Sequence, residues 1–195
     1  MKKLVALLLV SMMASVAFAG LDPDTDSFGV YFDTAGNNMP CLNGQPAFVP
    51  FMAYLLLMNP ASPTDGFECT VTPVGAPHFI LSTTLGGTGT LDVDASPNGF
   101  ACGAAANFPV VNGAALLVSW NIMLQAPGMP LEFFITKASI PSMTGDLPVV
   151  TGEGVLRRCG LTTGDVTLPV AIVNGACNVI GEEISSFGGV KSLFR

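Results

Sequence analysis

Apolar residues recur at every second position along much of this chain, and the helical period is nearly absent. Phe28, Val30 and Phe32 alternate with Gly29, Tyr31 and Asp33. Phe67, Cys69 and Val71 alternate with Glu68, Thr70 and Thr72. The clearest run sets Leu116, Val118, Trp120, Ile122 and Leu124 against Leu117, Ser119, Asn121, Met123 and Gln125. Leu131, Phe133 and Ile135 follow, alternating with Glu132, Phe134 and Thr136. Successive side chains of a strand point to opposite faces, so each run predicts a strand with one face in a core. The five residues Ala126-Pro127-Gly128-Met129-Pro130 separate the last two runs and predict a hairpin connection. Val166, Leu168, Val170 and Ile172 predict a further strand, and Pro169 places it at a sheet edge, because proline cannot donate to a ladder.

Two runs lack alternation. Residues 49–58 are nearly all apolar and predict a central strand buried on both faces, ended by Asn59-Pro60. A helix is the rival reading there, since residues 52–58 contain no β-branched side chain. Residues 78–85 predict another strand, ended by a turn at Gly86-Gly87-Thr88-Gly89. Short runs near residues 105–111 and 149–156 bring the total to eight or nine strands. The pattern predicts an all-β fold, an antiparallel β-sandwich of immunoglobulin-like or cohesin-like type, with a jelly roll or small barrel as alternatives.

The start of the chain follows a different rule. Lys2 and Lys3 precede an apolar run through residue 16, and Ala17-Phe18-Ala19 reads as a cleavage site ahead of Gly20. Residues 1–19 are therefore predicted to be a secretory signal peptide, too short for a membrane span. The mature chain, residues 20–195, would form one sandwich domain over residues 20–181 and a tail over residues 182–195. It has no further membrane-spanning segment. Residues 21–26 are expected to be a mobile arm.

Charge narrows the function classes. Without Lys2 and Lys3, 5 basic residues face 14 acidic ones, a net charge of −9. Nucleic-acid binding is excluded as a working reading, because phosphates require clustered Lys and Arg. Charged residues make up only 11% of the chain, so the surface is expected to be rather neutral and to sit against other material. Arg157-Arg158, the only pair of adjacent basic residues after the leader, reads as a solvated bend.

Five cysteines in an exported chain are disulfide candidates. Cys159 with Cys177 is the leading pairing, since the two flank a strand-like run, and Cys41 with Cys69 is the second, which leaves Cys102 over. No catalytic constellation is visible. His78 is the only histidine and opens an apolar strand. Glu68, Asp92, Glu132 and Glu153 are available carboxylates for glycoside hydrolysis, but each sits where an outward polar residue would sit anyway. Calcium is the one cofactor with candidate ligands. Asp22, Asp24 and Asp26 form a D-x-D-x-D run, and Asp92 and Asp94 open a second oxygen-rich turn. That second turn has Gly99 at its eighth position and Gly103 at its twelfth, so it is no EF-hand loop.

The ending Ser186-Phe187-Gly188-Gly189-Val190-Lys191-Ser192-Leu193-Phe194-Arg195 resembles W-G-x-[IV]-K-x-L-[YF]-R, with Phe187 in place of Trp. That ending recurs in small exported β-rich proteins of unknown function from environmental bacteria. Phe28-Gly29-Val30-Tyr31-Phe32-Asp33, Cys41 and residues 53–60 also resemble that group. The resemblance implies secretion and a sandwich fold, and it implies no activity. Physically, Phe187, Val190, Leu193 and Phe194 fall at helix-like spacing, as expected of a short element docking on its own sandwich, on a second copy or on an export machine. The expected function is that of an exported, non-enzymatic structural or adhesive module of the cell envelope. Its partners would be other envelope proteins, its own copies or glycan. A carbohydrate-binding module, with or without calcium, is the alternative, and a small hydrolase comes third.

Overall fold

The computed structural model describes residues 22–177, and within them every regular element is a β-strand. The expected signal peptide at residues 1–19 and the expected docking tail with Phe187, Val190, Leu193 and Phe194 lie outside the described residues. Two sheets stack face to face. The first has six strands: β1 (Ser27–Tyr31), β3 (Pro50–Met58), β5 (His78–Leu85), β8 (Val110–Val111), β9 (Ala114–Leu124) and β13 (Gly160–Leu161). Its order is β13-β1-β3-β9-β5, with β8 also on β9. The second has eight: β2 (Cys41–Leu42), β4 (Gly66–Gly75), β6 (Leu91–Asp92), β7 (Gly99–Gly103), β10 (Leu131–Thr136), β11 (Val149–Gly152), β12 (Val155–Arg158) and β14 (Ala171–Val173). Its main order is β12-β11-β4-β10-β14-β2, and β7 joins β4 and β6.

The inward faces carry the predicted core. Phe28 and Val30, Val118, Trp120, Ile122 and Leu124, Phe67, Cys69 and Val71, and Leu131, Phe133 and Ile135 fall in one buried cluster. Trp120 from the first sheet meets Phe100 from the second edge-on, with ring centroids 5.9 Å apart. Phe100 in turn packs on Phe67 at 6.1 Å and Phe67 on Phe108 at 5.8 Å. Burial of large aromatic and branched side chains between two pleated faces is the main stabilising term of such a fold.

The β-sandwich stands, with corrections. The chain has more strands than the expected eight or nine, because β7 and the two-residue β2, β6 and β13 fall outside the expected runs and residues 149–156 fold as a hairpin. Glu153 and Gly154 form its two-residue turn, both at positive φ, the turn geometry that matches strand twist. The sheets are mixed rather than purely antiparallel: β1 runs parallel to β13 and β14 parallel to β2. Residues 126–130 are no hairpin. Leu124 ends a strand of the first sheet and Leu131 begins one of the second, so the connection crosses between the layers. The strand after Pro169 starts only at Ala171 and lies between β10 and β2 instead of at an edge. Leu116 leaves the core, because the ladder shifts between Leu55/Leu56 and the extra residue Leu117 takes the inward place. Leu116 then joins Tyr31, Leu56, Met58 and Ala114 in a small cluster on the outer face. Residues 50–58 are a central strand and not the rival helix, but only Leu55–Met58 are buried on both faces, since Pro50 and Met52 are exposed.

A further correction concerns residues 21–26. Among them Asp22 and Asp26 are buried. The Asp26 carboxylate accepts from Arg157 Nε at 2.9 Å and from Ala61 N at 3.0 Å. Arg157 also donates to Thr64 Oγ1 at 3.0 Å. The basic pair is therefore no solvated bend: Arg157 ties β12 of the second sheet to the segment entering β1 of the first.

The disulfide joins Cys41 to Cys177. The parallel register Ile172↔Cys41 sets Cys41 beside the chain that leaves β14, and the two Cα atoms are 5.8 Å apart. Neither expected pairing forms. Cys69 faces the core from β4, three strand steps from β2 in the sheet order, roughly 14 Å at the usual strand spacing. Cys159 is buried where the chain passes from β12 to β13, while Cys177 is exposed beyond β14. Cys69, Cys102 and Cys159 are free and buried. Burial pushes all three thiols up, Cys102 and Cys159 to about 12. Protonated, enclosed thiols are poor nucleophiles.

Two outcomes follow for solution experiments. Alkylation followed by intact mass should label three cysteines in denaturant without reductant and five with it. Cys41→Ser should cost about 2–5 kcal/mol in chemical unfolding, since the bond closes a loop with a sequence separation of 136. The thiols also set an alkaline limit. In the unfolded chain they ionise near the ordinary pKa of about 8.5, whereas the folded chain keeps their protons. Their contribution is full below that pH and is lost as pH rises towards 12. Unfolding midpoints measured from pH 7 to 11 should fall steadily above about pH 8.5. The Cys102→Ala/Cys159→Ala pair should flatten that alkaline limb.

Candidate functional site

Charge divides the two sheets. No strand residue of the first sheet is Asp, Glu, Lys or Arg. All the strand charges lie in the second sheet: Glu68 on β4, Asp92 on β6, Glu132 on β10, and Arg157 and Arg158 on β12. The outer face of the first sheet is thus a neutral plateau. Its register gives three rungs across β3, β9 and β5: Tyr54, Ser119 and Thr84, then Met52, Asn121 and Ser82, then Pro50, Met123 and Phe79. Met52 is 40% exposed and Phe79 49%. Phe48, 67% exposed and at φ +60°, flanks the last rung, its N–H donating to Leu124 O at 2.8 Å. A bulky side chain held in the left-handed region is strained, and an exposed ring gains nothing from the core in return.

At the other end the plateau drops into a cavity of about 440 Å³. Ala35, Pro109, Val111, Asn112, Ala114 and Leu116 are among its lining residues, none of which is charged. The segment after β1 closes this end. Asp33 holds it in shape by accepting from the backbone N–H groups of Ala35, Asn37 and Asn38 at 2.8–3.2 Å. Those hydrogen bonds lower the Asp33 pKa against the opposing effect of burial. A smaller cavity of about 190 Å³ opens on the second sheet beside Phe67, Cys102, Val150 and Leu156. Its one carboxylate, Glu68, already accepts from the backbone N–H and the hydroxyl of Ser142, both at 2.7 Å.

The calcium candidates fall in two separate turns. Asp22 Oδ1 accepts from Asp24 N at 2.9 Å, and Asp26 is taken by Arg157. Asp92 Oδ1 accepts from Asp94 N at 3.0 Å and Ala101 N at 2.9 Å. Asp94 accepts from Ser96 N and Oγ and from Ser139 Oγ, which lowers its pKa. The contacts to Asp24, to Asp94 N and to Ser96 are local turn caps of the Asx type, whereas Asp26–Arg157 and Asp94–Ser139 join distant parts of the chain. Among the described residues no three His, Cys, Asp or Glu side chains are grouped to hold a metal ion. His78 Nδ1 lies 2.8 Å from Ala76 O at the start of β5. Glu132 faces outward between Val74 and Ile172, and Glu153 occupies its hairpin turn. Trp120 and Tyr31 are buried, which leaves half-buried Tyr54 as the only Trp or Tyr on an open face among the described residues.

Sequence reasoning expected a neutral surface but did not locate it. The signal was present, because β1, β3, β5 and β9 each read as runs without charge. Only the pairing shows that those runs are neighbours in one sheet. The Asp26–Arg157 link was missed, since the two residues are 131 positions apart.

No family model matches this sequence, and no curated protein matches it. Among solved structures the fold is similar to a cohesin module from a Clostridium perfringens ATCC13124 family 33 glycoside hydrolase, at 8% identity and a TM-score of 0.42, over 68% of this chain and 88% of that one.

Proposed function

We propose that this protein is an exported, non-catalytic binding module of the cell envelope, and that the uncharged outer face of its first sheet is the binding surface. The observation that carries this reading is the segregation of charge. A chain of net charge −9 after loss of its leader keeps the strands of one whole sheet free of Asp, Glu, Lys and Arg, with Met52 and Phe79 exposed on it. Extended apolar and neutral faces on an otherwise acidic body are features of interaction surfaces. The buried, protonated thiols and the hydrogen-bonded carboxylates support a binding role over a catalytic one.

Export is supported by the A-x-A site before Gly20, by the Cys41–Cys177 disulfide and by the resemblance to small exported β-rich proteins. Among the described residues no helix is long and apolar enough to cross a membrane.

The reading is tested by co-sedimentation of the purified mature chain with envelope fractions of the producing cell. Wild type should be retained. A single carboxylate on the plateau, Met52→Glu or Ser82→Glu, should weaken retention at least tenfold, because it strands a charge in a neutral contact. Thr72→Glu, on the exposed face of the second sheet, should leave retention unchanged. Failure of wild type to sediment, or equal loss in all three variants, would overturn the assignment.

A further inference from the structure

We infer that a second copy of this chain occupies the β5 edge of the first sheet, the two sandwiches joining edge to edge through β5 across a two-fold axis. The inference rests on the reading of that sheet as the interaction surface and names its partner. β5 hydrogen-bonds to β9 on one side only and ends the strand order of its sheet. At eight residues it is the longest terminal strand in either sheet. β13 and β2 have two residues each, and β12 has four, two of them arginine. Edge strands usually carry lysine, proline or an inward charge that blocks pairing with another chain. β5 reads HFILSTTL and carries none of these. Phe79, Ile80 and Leu81 are 49%, 40% and 48% exposed. The one protective feature of β5 is the bulge at Leu81, which the register shift between Ile80/Ser82 leaves unpaired with β9.

Charge selects the partner. Acidic bodies repel each other least at an approach that places no charge against charge, and the β5 edge offers that approach. A basic partner would be drawn instead to Glu68, Asp92 and Glu132 on the second sheet. The β5 edge asks for an uncharged strand with unpaired backbone groups, and the β5 of another copy is such a strand. Antiparallel pairing about a two-fold axis is self-complementary, so one edge serves both partners. Phe79 and Leu81 of the two copies would then be covered together, and the two six-stranded sheets would continue into one.

Light scattering after size-exclusion chromatography of residues 20–195 is the test, run from about 1 to 200 μM, a span set by the usual range of weak self-association. The expected result is a mass that doubles with concentration. Leu81→Lys and Phe79→Glu, of opposite charge, should each shift the midpoint at least tenfold towards monomer with the circular dichroism spectrum unchanged. Val155→Lys, on the β12 edge, should not. A monomer over the whole range, or a dimer indifferent to both β5 variants, overturns the inference. If one β5 variant fails to fold, the other decides. Retention on envelope material is read separately: a wild-type monomer that still sediments sinks the second copy alone, and a β5-dependent dimer that does not sediment sinks the envelope reading alone.

Discussion

The contact between Trp120 and Phe100 is where the two sheets of this protein are locked together. Trp120 stands at the middle of β9, paired with Ala53 on one side and Thr83 on the other. Both neighbours are small, so the indole has room to reach across the layer. Phe100 approaches from β7 beside Phe67, and Phe108 closes the group. Once these rings interdigitate, the inward face of each strand is fixed, and a slip of one residue would turn every core side chain to solvent. The positions of the plateau rungs on the opposite face follow from the same register. The neutral surface is therefore a by-product of core packing as well as of composition.

The second constraint works at the ends of the strands. Asp26 and Arg157 are both largely withdrawn from water, with side chains 11% and 16% exposed. Charges so placed are tolerated because each finds several partners: Arg157 reaches Asp26 and Thr64, and Asp26 also takes the amide of Ala61. The pair holds the entry to β1 against the exit of β12. It works alongside Gly160 N–H, which donates to Asp26 O at 2.9 Å. The hydrogen bond that Arg157 donates to Asp26 raises the Arg157 pKa.

Much of this architecture could be read from the chain before any coordinates, for a physical reason. Where one face of a strand is buried, the period of two is imposed by solvent, and β4, β9 and β10 were legible in that way. The two-residue strands β2, β6 and β13 were not, because they are defined by the backbone of their neighbours and leave no trace in side-chain pattern. The bulge at Leu117 was hidden because Leu116 and Leu117 are identical residues, and nothing in the text says which one points inward. The disulfide was misassigned because proximity along the chain was taken for proximity in space. Cys41 and Cys177 meet through a parallel pairing at a sheet edge, which has no local signature. The candidate surface was half legible: its lack of charge was written in four separate runs, and their adjacency was not.

The span of the Cys41–Cys177 bond has a consequence for the order in which the protein is made. A chain that emerges from its amino end presents Cys41 long before Cys177. Cys69, Cys102 and Cys159 pass by in the interval as chemically competent partners. What protects Cys41 from them is the sandwich itself, since all three thiols become core residues when β4, β7 and the β12–β13 crossing are laid down. Correct oxidation thus requires collapse first and bonding last. The covalent clasp acts as a seal on a finished fold, and premature oxidation during synthesis is the error to which this sequence is most exposed.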